Sequence, residues 1–192
     1  PMGNLHKKDI KQMAIDRGYK ALAAKSESYE ICFIPDNDYR GFLKRRVEGL
    51  EEKVKGGKFM SLDGKVLGEH DGYPFYTIGQ RKIGISLGDD PTYVISINEK
   101  ENIVVVGTKD DLMKQEMFVR NINYVKYSKL EDGVELLVKV RYKHKGEIAT
   151  LYNDGENIKV LFHNKVEGIA PGQSAAFYDG NDLVAGGFIM KK

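Results

Sequence analysis

At 192 residues with 41% hydrophobic side chains, the chain can bury a core in one or two domains, and no apolar run nears the roughly 20 residues of a membrane span. A formal net charge of +2 makes no whole-molecule case for nucleic acid, although residues 1–58 carry 13 basic and 9 acidic groups. One cysteine, Cys32, excludes an intrachain disulfide and fits a reducing compartment; with no signal-peptide pattern, the cytoplasm is the expected location.

Pro1-Met2-Gly3-Asn4 reads as neither a translation start nor a domain opening, so a longer protein is expected. Ile10, Met13 and Ala14 recur at helical spacing and predict a helix over 7–17, with Gly18 as its left-handed cap. One helix beside a short strand cannot cover its own apolar face, so a packing partner for this opening segment is also expected. Ser28 to Ile34 forms a short apolar run around Cys32. On residue type, a lone cysteine is a buried filler; as a reagent it needs partial exposure and nearby positive charge. Both readings stay open on spacing alone. After the run, Asp38 is the expected N-cap of a helix from Tyr39 to Arg46.

From Lys58 the pattern changes to period 2 with turn signals, the mark of antiparallel strands. Phe59 to Leu62, Asp63-Gly64 and Lys65 to Leu67 read as a hairpin with a two-residue turn. Strands follow at 73–77, 92–97 and 103–106, with a glycine-punctuated basic loop, Ile78 to Ile85, too polar for core. Glu69-His70-Asp71 reads as a polar hairpin edge, because sequence neighbours on a strand point to different sides.

The segment 116–192 is β-rich, with turns at Asp154-Gly155 and Asp179-Gly180 and room for a small closed barrel of five or six strands. Val134, Leu136, Val138, Val140 and Tyr142 share one strand parity. Parity makes Tyr142 a core aromatic; its position beside Arg141 makes it a stacking surface. Lys139, Arg141, Lys143, His144 and Lys145 cluster at the strand end, as a solvated terminus or as phosphate contacts. The four histidines show no metal-ligand spacing, and no Walker-type loop, GxGxxG or Gly-x-Ser-x-Gly elbow occurs, so no metal is expected.

In order, these motifs resemble the tRNA-specific 2-thiouridylases, the MnmA/TrmU family: Pro1 to Leu5; Ser28 to Ile34; Asp63-Gly64 and Gly68 to Gly72; Tyr76 to Lys82; Val140-Arg141-Tyr142; Pro171 to Gly180; and Gly186-Gly187. Glu30 stands where many members carry Gly or Asp, and the segment after Lys82 is a residue shorter than the usual Gly-Leu-Gly-Ile. The resemblance implies a tRNA-uridine 2-sulfurtransferase. In the family, ATP activates C2 of the wobble uridine and sulfur arrives as a cysteine persulfide from a donor protein. The carrier cysteine of the Ile-Cys-Phe motif matches Cys32. A second family cysteine and the ATP site lie in an N-terminal domain expected to precede Pro1, so the chain alone is expected to be inactive. Arg141, Tyr142 and Gln173 match tRNA contacts, and Gly79, Gln80, Arg81 and Lys82 are an expected positioning loop.

The implied architecture is mixed α/β to mainly β. Residues 1–49 would be the end of the adenylating domain, 50–114 a small β-rich central domain, and 115–192 a tRNA-binding antiparallel barrel. The alternative is a stand-alone RNA-binding or scaffold module in which Cys32 is structural.

Overall fold

The computed structural model describes residues 3–25, 33, 34, 36 and 38–191. It divides into two compact units, residues 1–48 and 49–192.

In the first unit, α1 (Lys7–Asp16) ends where expected: Gly18 takes φ +86°, and the amides of Gly18 and Tyr19 return to the carbonyls of Ile15 and Ala14. A short α2 (Lys20–Ala23) follows, then α3 (Tyr39–Arg46). The Asp38 carboxylate accepts from the Gly41 N–H at 2.8 Å, the capping bond read from the sequence. Lys44, Arg45 and Arg46 occupy the last turn of α3, opposite the partial charge of its carbonyls. None of the three helices contains a buried residue.

The second unit opens with α4 (Leu50–Val54) and continues as β1 (Gly57–Ser61), β2 (Val66–His70), β3 (Tyr93–Asn98) and β4 (Ile103–Gly107). These strands form a sheet of order β2-β1-β4-β3. The β1–β2 hairpin is present, but its connection is longer than two residues. The Gly64 N–H donates to the Ser61 carbonyl and the Ser61 N–H to the Lys65 carbonyl, with Gly64 alone at positive φ. The sheet is also not wholly antiparallel, because β1 and β4 run parallel. A parallel neighbour needs a long crossover, and the whole stretch through β2 and β3 supplies it.

The expected strand at 73–77 is instead a 3₁₀ turn over Tyr73–Phe75. Pro74 has no N–H to give a ladder, and the Phe75 and Tyr76 amides close back on Gly72 and Tyr73. Ile83, within the loop read as too polar for core, is buried, as is His70. The triplet lies at the end of β2, an edge strand of the sheet, with Glu69 and Asp71 exposed as read, but His70 turns inward and its ring packs edge-on against Phe59 at 4.9 Å.

The remaining strands are β5 (Met113–Tyr124), β6 (Val134–Lys139), β7 (Glu147–Asp154), β8 (Asn157–Glu167), β9 (Ser174–Asp179) and β10 (Asp182–Ile189). They close in the order β10-β5-β8-β7-β6-β9, every pair antiparallel. Alternation fills the interior with Leu136 and Val138 from β6, Ile158, Val160 and Phe162 from β8, and Ala175 and Phe177 from β9. At the β7–β8 and β9–β10 turns the positive φ falls on the first loop residue, Gly155 and Gly180. The mainly β architecture with a closed antiparallel barrel is the one expected.

Candidate nucleic-acid interface

The strand carrying Val134 to Val138 ends at Lys139, and that ending decides the fate of Tyr142. Val140 is still fully buried, but the chain then turns: the His144 N–H donates to the Arg141 carbonyl at 3.0 Å, and the His144 ring accepts from the Val140 N–H. Parity does not survive a turn. Tyr142 is 99% exposed, so the core reading is corrected and its ring faces solvent. Burial, then the charge of Arg141, lowers the pKa of His144 from its ordinary value, which keeps the ring neutral as the acceptor inside the turn.

Around this turn lies an open recess of about 550 Å³ lined by Arg141, Lys143, His144 and Lys145. Lys139 is not among its walls; its ammonium lies over the Tyr178 ring at 5.1 Å. Two further lysines complete the basic lining: Lys109 precedes β5 and Lys165 lies on β8. Local spacing carries no signal for either, because they reach the recess only through barrel closure. Asp110, Glu147 and Glu167 set negative charge against them, Glu167 accepting from Arg141 at 2.9 Å and pairing with Lys109 at 3.6 Å. Gly168, at φ +72°, leaves room for the guanidinium, into which a Cβ would collide. Cations around an exposed ring suit a phosphate backbone with a base or sugar stacked beside it.

Gln173 stands apart from this turn. Together with Thr77 and Ile78 it lines a second cavity, between the four-stranded sheet and the barrel. The residues after Ile78 form a tight loop: the Gln80 side chain accepts from the Thr77 N–H, and Gly79 and Gln80 exchange backbone bonds with Val94. Arg81 lies over the Tyr93 ring at 5.5 Å, and Lys82 takes φ +57°. Cys32 lies outside the described residues. Downstream of it, Phe33 is exposed and meets the Phe42 ring of α3 at 5.5 Å, while Ile34 is buried.

Among the described residues no group of three or more His, Cys, Asp or Glu could hold a metal ion, and no helix is long and apolar enough to cross a membrane. Among the described residues no glycine-rich loop leads from a strand into a helix.

Residues 40–108 match the family model described as tRNA methyl transferase PRC-barrel domain, and residues 114–189 match the Aminomethyltransferase beta-barrel domain. Three relatives carry the name tRNA-specific 2-thiouridylase MnmA. That of Cytophaga hutchinsonii is 53% identical over 192 residues, covering 98% of this chain and 52% of the relative. Those of Amoebophilus asiaticus and Salinibacter ruber are 53% and 45% identical, each over 98% of this chain and 50% of the relative. The chain thus spans about half the length of the curated relatives it matches.

Proposed function

We propose, from the premise that this chain belongs to the tRNA-specific 2-thiouridylase family, that it is the sulfur-transfer and tRNA-binding portion of a tRNA-uridine 2-sulfurtransferase. Residues 1–49 carry the cysteine motif, 50–114 form the central domain and 115–192 the tRNA-binding barrel. Cys32 accepts sulfur from a donor protein as a persulfide; its terminal sulfur attacks C2 of the wobble uridine as the activated oxygen leaves, and the thiol of a second cysteine, in the part of the relatives' length that this chain does not span, then attacks Cys32 Sγ, breaking the S–S bond to release the 2-thiouridine and leave a disulfide on Cys32. Activation by ATP falls to the half of the relatives' length that this chain does not span. The reaction belongs in the cytoplasm, where thiols stay reduced.

The observation that carries the RNA side is the fully exposed Tyr142 next in sequence to Arg141, which lines a recess of five cations and three carboxylates. Arg141 binds a phosphate, Tyr142 stacks, and Gln173 adds a contact from its separate cavity. Gly79, Gln80, Arg81 and Lys82 position RNA or the cysteine loop, supported by the bonds that tie this loop to β3. In the full-length protein, Cys32→Ser is expected to abolish 2-thiouridine, measured by mass spectrometry of digested tRNA, without loss of tRNA affinity. Undiminished 2-thiouridine in that variant would refute the carrier role. Arg141→Ala is expected to weaken tRNA binding and to reduce the salt slope by about 1.

A further inference from the structure

The cavity between the four-stranded sheet and the barrel encloses about 440 Å³, the size of a small-ligand site. Its walls are largely apolar rings and chains: Tyr73 and Tyr76 from the segment after β2, and Met117 and Phe118 from β5. Gln173 adds an amide that can both donate and accept. An ion pair, Lys191 with Glu99 at 3.1 Å, ties barrel to sheet among the lining residues.

This cavity adjoins the basic recess along two stretches of chain. Met113 lines the recess and Lys114 the cavity; Glu167 lines the recess and Ile169 the cavity. The two sites therefore share stretches of chain as wall, each taking different residues of the stretch.

Resting on the RNA-binding reading of the recess, we infer that the sheet–barrel cavity receives one unstacked base of the RNA strand whose phosphates lie over Arg141 and its neighbouring lysines. The partly exposed Tyr73 ring supplies a stacking face, and the Gln173 amide meets the base edge. A base inside a duplex cannot enter, so the ligand is a loop, bulge or single strand.

Ser96 is exposed on β3 and lines the cavity, so Ser96→Trp fills it without removing a buried contact. Ala170→Phe fills it from the barrel side. In the full-length protein, affinity for an unmodified tRNA transcript and for a fully paired RNA duplex is measured against salt. Each filled variant should bind the transcript roughly tenfold more weakly with an unchanged salt slope, and bind the duplex as wild type does. Lys143→Ala combined with Lys145→Ala should instead lower the slope for both RNAs. Wild-type transcript affinity in both filled variants, each shown folded by its thermal transition, overturns the inference, as does equal weakening for the duplex. An unchanged slope in the double-lysine variant overturns the reading of the recess beneath it.

Discussion

The barrel and the N-terminal helical unit are built on opposite plans. In the barrel, 18 side chains form one buried cluster inside a sheet without edges. Among the described residues of 1–48 only Ile34 is buried, and large apolar side chains such as Leu22 and Phe33 are more than half exposed. The barrel is held by packing. The helices are held by backbone bonds and caps, which are marginal for such short segments. The basic recess therefore rests on a packed support in one region, while the described residues flanking the cysteine motif belong to the other.

The sharpest way to break this contrast is to cut equally into both. Phe177 is fully buried in the barrel, and Phe177→Ala should cost about 3–5 kcal/mol, read from the denaturant midpoint of this chain. Met13, on an exposed stretch of α1, should lose no more than about 0.5 kcal/mol on Met13→Ala. Similar losses would mean that the helical unit has a core of its own.

Gly186 and Gly187 test a finer feature of the barrel. Neither takes a positive φ, so conformational freedom is not their reason. A Cβ at Gly187 would lie 2.5 Å from the Arg120 carbonyl oxygen, and one at Gly186 would lie 2.8 Å from that of Ala175. Both obstacles are backbone, of β5 and β9, and β10 bulges between them. Gly187→Ala should cost about 2 kcal/mol, since a strand must move to admit the methyl group. A neutral outcome in the same denaturant assay would show that the barrel yields more readily than its packing implies.

Much of this was legible where local chemistry decides. The Asp38 cap, the Gly18 terminus and the alternation of Leu136, Val138 and Val140 each follow from a few adjacent residues. Reading failed where a distant partner or a chain reversal overrides the period. Tyr142 kept its parity on paper, but the strand had already ended. The parallel pairing of β1 with β4 joins residues about 45 apart in sequence, and no local pattern encodes it. The recess draws Lys109, Arg141 and Lys165 from three elements, so sequence reading found its centre and missed its rim.

His70 marks the contrast from the sheet side, as a titratable group inside an aromatic cluster. Its Nδ1 accepts from the Gly72 N–H at 3.0 Å, and its Nε2 is buried with no hydrogen-bond partner among the described residues. Burial pushes its pKa below the ordinary 6.5, with the charge of Asp71 opposing. As pH falls below 6.5 the unfolded chain takes up the proton first, so stability is complete above that value and declines beneath it. His144 shifts in the same direction and adds to the decline. His70→Phe should reduce the loss of stability between pH 7.5 and pH 5, compared by urea midpoints. An undiminished loss would assign the acid sensitivity elsewhere, with the barrel's His144 as the next candidate.

The smallest effect concerns Glu167, which sits at the end of β8 and holds two cations of the recess. These pairs are substantially exposed, so each contributes little to stability, of order 0–1 kcal/mol. Their weight falls on binding. On the proposed reading of the recess, an incoming phosphate would compete with the Glu167 carboxylate for Arg141 and meet its repulsion at the same time. Glu167→Gln keeps a hydrogen-bond acceptor beside the guanidinium and removes the charge. It should leave the denaturant midpoint unchanged within about 0.5 kcal/mol and raise tRNA affinity two- to fivefold, on the order of 0.4–1 kcal/mol, most clearly at low salt. Weaker binding would mean that Glu167 orients Arg141 for the phosphate instead of competing with it, and that the recess depends on the pair being intact.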